Sequence, residues 1–119
     1  MTKKRIYIAG PMRGYPDLNY SAFNYAMESI LSDPKLNKAW CVLNPVLIGK
    51  DFSSVPVDFI QSPDLLRRLM EFELAVVKSC DAILLLRGWE RSEGARAELR
   101  VALDAKLEIY TQDSGVLIR

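Results

Sequence analysis

The sequence predicts an α/β protein in which a parallel sheet of four or five strands lies between two layers of helices. Short apolar runs alternate along the chain with longer segments whose apolar residues recur at helical spacing. Strands that alternate with helices in this way pair in parallel through right-handed crossovers. A chain of 119 residues can bury one core but not two. We therefore expect a single domain over residues 1–119.

The first strand and the first helix are predicted between the N-terminus and residue 31. Arg5 to Ala9 is an apolar run that Gly10-Pro11 ends. Asn19 and Ser21 are the candidate N-caps of the helix that follows. Its apolar positions have helical spacing and are Phe23, Ala26, Met27, Ile30 and Leu31.

The middle of the chain is predicted to hold a strand, an irregular segment and a long helix. Asp33-Pro34 ends the first helix, and Ala39 to Leu43 forms the second strand. The segment from Val46 to Gln61 is longer than a plain connection requires, which is typical of a binding loop. Ser62-Pro63-Asp64 combines a capping serine, a proline and an acid, so a helix begins there and continues to about Ser79.

The C-terminal part of the chain is predicted to complete the sheet. Ala82 to Leu86 is the third strand, and a helix follows from about Glu93 to Ala105. Leu107 to Tyr110 is the fourth strand, and Val116 to Ile118 is a candidate fifth. A flavodoxin-like or Rossmann-like strand order places the ligand crevice between the first and third strands. The loops from Gly10 to Gly14 and from Arg87 to Ser92 then line that crevice.

The composition excludes several function classes. The net charge of +1 argues against a nucleic-acid-binding surface, and no apolar run approaches the length of a membrane span. The chain has no histidine, and Cys41 and Cys80 lack metal-ligand spacing, so a zinc site and a Ser-His-Asp triad are not expected. We expect a reduced cytosolic protein with two buried thiols. Acid–base chemistry is left to carboxylates, tyrosines or lysines.

Two carboxylates fall on helix faces that are otherwise apolar. Glu98 shares a face with Ala95, Leu99 and Ala102, and Glu73 lies among the apolar residues of the preceding helix. A half-buried carboxylate is costly, and two of them flanking one strand indicate a pair with divided roles, as in glycosidic bond cleavage. The alternative is structural: Glu98 bonds an arginine or a tyrosine hydroxyl, or reaches solvent at the rim.

Other residues of the two loops are candidates for ligand binding. Arg13 and the helix N-terminus at Ser92 can hold an anion; taken alone, each is more simply explained as a solvated loop charge and an ordinary N-cap. Trp89 can stack on a base or cover the core, and Tyr7 can orient a nearby acid or simply pack. Gly94, one turn before Glu98, leaves space for a ligand to approach.

These residues together resemble the nucleoside 2-deoxyribosyltransferase superfamily, particularly its deoxynucleoside 5′-monophosphate N-glycosidases. Tyr7 to Gly14 looks like the strand-Gly-x-x-Arg-Gly opening of that family, and Ser92 to Leu99 looks like its motif with a Ser or Asp six residues before the catalytic Glu. The family's second acid, usually Asp, is matched by Glu73. Pro11 stands where a phosphate-binding serine is common. The segment from Leu86 to Glu90 looks more like the uncharacterised bacterial and phage branch.

The resemblance implies a reaction and a role for each site residue. Glu98 is expected to be the nucleophile, Glu73 the acid–base partner, and Tyr7 the residue that orients Glu98. The expected substrate-binding residues are Gly10, Arg13, Gly14, Trp89, Ser92 and Gly94. We therefore expect cleavage or transfer at the N-glycosidic bond of a nucleotide or nucleoside, without a cofactor or metal.

Two other function classes stay open at this point. One is a non-catalytic nucleotide-binding or signal-sequestering module, and the other is an electron-transfer or flavin protein on the same layout. The resemblance also implies a homo-oligomer, because the family often completes its site across a subunit interface. The apolar Val116 to Ile118 would contribute to such an interface.

Overall fold

A four-stranded parallel sheet forms the centre of the protein, as predicted. The computed structural model describes residues 3–12, 14–46 and 63–112. The strand order is β2-β1-β3-β4, and every neighbouring pair is parallel. The strands are β1 (Lys4–Ala9), β2 (Trp40–Leu43), β3 (Ala82–Leu85) and β4 (Glu108–Thr111). The candidate fifth strand at Val116 to Ile118 lies outside the described residues.

Four helices connect the strands within the described ranges and cover both faces of the sheet. They are α1 (Tyr20–Leu31), α2 (Pro34–Ala39), α3 (Pro63–Lys78) and α4 (Glu93–Asp104). A short turn at Pro16–Asn19 precedes α1, and a 3-10 turn at Trp89–Arg91 precedes α4. Most of the segment predicted to be irregular, residues 47–61, lies outside the described residues, as does the predicted cap Ser62.

The core has two halves, one on each face of the sheet. Ile6 and Ile8 of β1 face one way and pack with α1, in a cluster that includes Phe23, Ala26 and Ile30. Tyr7 and Ala9 face the other way and pack with α3 and α4, in a cluster that includes Val77, Ala95 and Ala102. This alternation along a strand covered on both faces gives the predicted flavodoxin-like three-layer fold.

The connection before α1 differs from the prediction. Asn19 occupies the N-cap position, but its side chain does not cap the helix. Its amide instead donates to the Pro11 carbonyl at 2.9 Å. Asp17, Leu18 and Asn19 have φ values of +50°, +55° and +62°, so three consecutive non-glycine residues adopt the left-handed conformation. Such residues are costly and persist where surrounding contacts determine the backbone.

Three further expectations are corrected by the packing. Asp33-Pro34 ends α1 as predicted, but it also begins α2, because the Asp33 carboxylate accepts from the backbone N–H groups of Lys35 and Leu36. Leu31 was expected on the buried face of α1 but is 41% exposed at the helix end. Cys41 was expected to be buried like Cys80, yet it is exposed on the outer strand β2.

The carboxyl ends of β1 and β3 approach each other closely, which brings the two predicted loops together. The backbone N–H of Leu86 donates to the Ala9 carbonyl at 2.8 Å. A Cβ atom at Gly10 would lie 2.8 Å from the Leu86 Cβ, so any residue other than glycine would clash there. The ends of both strands therefore meet at one edge of the sheet, where ligands bind in folds of this type. In the described ranges, the structure contains no helix with the length and apolar character needed to cross a bilayer.

Candidate active site

A buried hydrogen bond joins the two residues at the centre of the site. The Tyr7 hydroxyl donates to Oε2 of Glu98 at 2.5 Å. Tyr7 is fully buried on β1 and Glu98 is only 5% exposed on α4. Glu98 therefore lies on the core-facing side of its helix, as predicted from the sequence. A tyrosine hydroxyl was one of the partners that the sequence allowed for its carboxyl group, and it is the one observed.

Glu73 of α3 lies near this pair. Its negative charge contributes to raising the pKa of both Tyr7 and Glu98, so the three groups share one electrostatic environment. Its side chain is half-buried. Among the described residues it has no side-chain hydrogen-bond partner. Tyr7, Glu73 and Glu98 are called the acid cluster below.

Burial determines how the acid cluster is protonated. It raises the pKa of Glu98 to about 8; the nearby Glu73 charge adds to this shift, and the hydrogen bond from Tyr7 opposes it. Burial also raises the pKa of the Glu73 carboxyl. Burial and the two carboxylates raise the pKa of Tyr7 far above its usual range, so its hydroxyl remains a donor. At neutral pH the raised pKa of Glu98 favours its protonated form, whereas a solvent-exposed glutamate is ionised.

The rest of α4 follows the predicted pattern around Glu98. Apart from Glu98, the charged residues of the helix are all exposed: Glu93, Arg96, Arg100 and Asp104. Ala95 is in the core, and Ala105 is exposed at the C-cap. A Cβ atom at Gly94 would lie 3.5 Å from the Met70 methyl group, so the methionine of α3 lies close to the Gly94 backbone, where the sequence predicts space for a ligand.

Ser92 begins α4 in the way the sequence indicates. Its Oγ accepts a hydrogen bond from the backbone N–H of Ala95 at 3.1 Å. The backbone N–H groups of Glu93 and Gly94, in the first helical turn, have no partners within the helix. These donors and the hydroxyl proton of Ser92 are available to an anionic group, although Glu93 itself is an acid in the same turn.

Replacing Ser92 by Ala is expected to lower the free energy of unfolding by about 1 kcal/mol, because the N-cap of α4 is lost. Ser92→Asp is the matched variant: it retains a capping oxygen but places a negative charge where an anionic ligand would bind. Urea denaturation should therefore show a lower free energy of unfolding for the alanine variant only. Equal stability of Ser92→Ala and the wild type would contradict the capping role.

Trp89, Gly10 and Gly14, the other predicted binding residues that the structure describes, lie at the same edge of the sheet. Trp89 is partly buried against the core half that contains Tyr7, which places it on the side of the acid cluster. Gly10 is buried and Gly14 has a φ of +82° in the loop after β1. Arg13 lies outside the described residues.

Several contacts in these loops could not be read from the sequence. The Tyr15 hydroxyl lies 3.2 Å, and Pro11 Cγ 3.3 Å, from the position of a Cβ at Gly88. The two loops therefore pack against each other at Gly88. This residue has a φ of +89° and leaves no room for a side chain. The glycine in the sequence was the only available signal of this contact. Pro11 packs here, and its carbonyl accepts from Asn19, so it holds the loop in place.

Among the described residues, no group of three or more acids or cysteines is arranged to hold a metal ion.

No curated protein matches the chain. Residues 4–111 match the model of a family described as a domain of unknown function, DUF4406. This match covers both strands that meet at the crevice and every residue of the acid cluster. The chain therefore belongs to the family described as a domain of unknown function (DUF4406).

Proposed function

We propose that the protein cleaves, or transfers a group at, the N-glycosidic bond of a nucleoside or nucleotide, with Glu98 as the nucleophile. The observation that carries the proposal is a buried glutamate, held by a tyrosine hydroxyl, with a second acid beside it. Burying two carboxyl groups reduces the stability of the fold, and a pair with perturbed pKa values is typical of acid–base sites. The sequence resemblance supplies the substrate class.

The environments of the two carboxyl groups favour different roles. Burial raises the pKa of Glu98, but the hydrogen bond from Tyr7 opposes this shift and stabilises the ionised form, which is the form that attacks carbon. Glu73 receives no such hydrogen bond from a described residue, and burial favours its protonated form. Glu73 is therefore suited to donate a proton to the departing base. Burial raises the pKa of both carboxyl groups, so Glu98 must lose its proton before it can attack.

The reaction proceeds in two steps. An oxygen of the Glu98 carboxylate attacks C1′ of the sugar while the bond from C1′ to the base nitrogen breaks, and Glu73 donates its proton to the base. The Glu73 carboxylate then removes a proton from water, whose oxygen attacks C1′ and breaks the bond to Glu98. Free base and free sugar are the products. With the nitrogen of a second base in place of water, the same second step is a transfer.

A release assay tests this proposal. The protein is incubated with deoxynucleosides, their 5′-monophosphates and the ribose counterparts, and free base is separated and measured. We expect base release from at least one of these substrates, with a bell-shaped dependence on pH, because the reaction needs Glu98 ionised and Glu73 protonated. Ligand-dependent thermal stabilisation without base release would instead support the non-catalytic nucleotide-binding module.

Two further expectations belong to this proposal. We infer a reducing, cytosolic setting from the two cysteines, both of which are free thiols. We also infer a homo-oligomer, because the resembling family often builds its site from two subunits. The apolar segment invoked for that interface, Val116 to Ile118, lies outside the described residues.

A further inference from the structure

A second concavity lies at the same edge of the sheet, on the side of α1. It is a groove of about 760 Å³ lined by residues that include Tyr15, Tyr25, Arg87, Arg91 and Gln112, and we call it the α1-side groove. Leu86 also lines it and belongs to the core half packed against α1. The loop that follows Leu86 therefore presents residues to this groove, whereas Trp89 of the same loop packs on the side of the acid cluster.

The described lining of the α1-side groove is positively charged. It includes Arg87 and Arg91 and contains no aspartate or glutamate. Arg91 is exposed, and no described acid forms an ion pair with it. Other exposed basic residues do have acidic partners, as Lys4 does with Glu108 at 3.6 Å. Guanidinium groups recognise phosphate oxygens through paired hydrogen bonds, so this groove has the chemistry of an anion site.

Backbone hydrogen bonds hold the loop that carries the two arginines. The Arg87 N–H donates to Oε1 of Gln112 at 3.0 Å, which fixes the loop to the end of β4. The Arg91 N–H donates to the Gly88 carbonyl at 3.1 Å, closing the turn between the two arginines. The backbone positions from which the guanidinium groups extend are thus set before a ligand arrives, which lowers the entropy lost on binding.

Two tyrosine rings complete the walls of the groove. Tyr15 and Tyr25 are 41% and 67% exposed, although both are large enough to bury substantial apolar area. Exposed aromatic rings beside arginines are suited to stack on a planar ring. The volume lies within the range of pockets that hold small molecules.

We propose that the α1-side groove is a second ligand site that binds a phosphorylated small molecule with a planar ring, the chemistry of a mononucleotide. Arg87 and Arg91 bind the phosphate, and Tyr15 and Tyr25 contact the ring. The site is separate from the acid cluster, so its occupant is bound and not cleaved. The proposal does not depend on the reaction assigned to Glu98.

Titration calorimetry on the Glu98→Gln protein tests the proposal, because this variant can bind ligands without consuming them. The probes are a set of nucleoside 5′-monophosphates, the matching nucleosides and inorganic phosphate. We expect a monophosphate to bind at the groove more tightly than its nucleoside or phosphate alone. Adding Arg91→Ala should weaken this binding by roughly tenfold to a hundredfold, the range for a charge-assisted hydrogen bond. Arg100→Ala, which removes the same charge from the solvated face of α4, should leave it unchanged.

Nitrogen-15 NMR locates the bound probe independently of its affinity. Amide shifts at Tyr25, Arg87 and Gln112 are expected to move together and to be insensitive to changes at the acid cluster. The proposal is overturned if Arg91→Ala and Arg100→Ala bind every probe alike. It is equally overturned if millimolar monophosphate shifts only resonances around Trp89 and Gly94. Circular dichroism confirms that each variant is folded, so a loss of binding can be assigned to the groove. Base release by the wild type is measured separately, so either proposal can fail alone.

Discussion

Glu98→Gln is expected to reduce base release by at least about a thousandfold while the fold is retained. Glutamine has the shape of a protonated glutamate, and its amide oxygen can still accept the hydrogen bond from Tyr7. It cannot, however, form the bond to C1′ that the proposed reaction requires. The measurement is the initial rate of base release at saturating substrate, on the best substrate found for the wild type.

Glu93→Gln is the matched control for this change. Glu93 is an exposed acid on the same helix, so its variant removes the same charge without touching the acid cluster. We expect its rate to stay close to that of the wild type. Glu73→Gln should be slow with poor leaving groups and less affected with good ones, since Glu73 is assigned the proton given to the base. Base release by Glu98→Gln at the wild-type rate would refute the assigned nucleophile and leave the activity itself in place.

The free energy of unfolding is expected to fall as pH rises from about 5 to about 8, because the folded protein holds a proton that the unfolded chain has released. The ordinary pKa of Glu98 is 4.5, and burial raises it to about 8 in the folded protein. The stabilising contribution of its proton is complete below the lower value and lost as pH passes the upper one. Over this interval the loss of the Glu98 proton lowers the free energy of unfolding by about 3 to 5 kcal/mol.

Comparing wild type with Glu98→Gln isolates this effect. Urea unfolding is measured at intervals across the same pH range, and the variant should gain stability relative to the wild type as pH rises. Tyr7→Phe removes the hydrogen bond that lowers the pKa of Glu98, so its decline should extend to higher pH. Parallel curves for wild type and Glu98→Gln would show that Glu98 titrates normally in the folded protein.

The contributions of other titrating groups to the pH dependence are present in both proteins being compared or lie outside this interval. The chain has no histidine, the residue whose titration usually dominates near neutral pH. Glu73 shifts in the same direction as Glu98 but is present in both proteins being compared. Burial raises the pKa of Cys80 from 9.0 to about 11, so its contribution begins only above the range measured.

The sheet and the acids could be predicted because both depend on periodicity. Apolar runs of strand length between helical segments determine a parallel sheet, and the observed order β2-β1-β3-β4 follows. Glu98 and Glu73 could be identified because the spacing of nearby apolar residues in the sequence is enough to place each charge on an apolar helix face. The hydrogen bond from Tyr7 was one of several partners the sequence allowed, and three-dimensional packing selected it.

Other features depend on contacts between distant segments and leave little trace in the sequence. Gln112 lines the α1-side groove because its carboxamide accepts from Arg87, which is 25 residues away. The left-handed residues Asp17 to Asn19 oppose local conformational preference, so packing must determine them. The helix that starts at Pro34 has a recognisable start, Asp-Pro, but is too short to show a clear apolar periodicity.

The hydrogen bond between Tyr7 and Glu98 joins residues separated by 91 positions, and this has a consequence for folding. The chain must bring together its first strand and its last described helix before this hydrogen bond can form. Contacts of such separation form late, because the entropy of closing a long loop is lost before they contribute. The site is therefore assembled only with the complete domain, and a fragment lacking β1 would keep Glu98 without the hydroxyl that orients it.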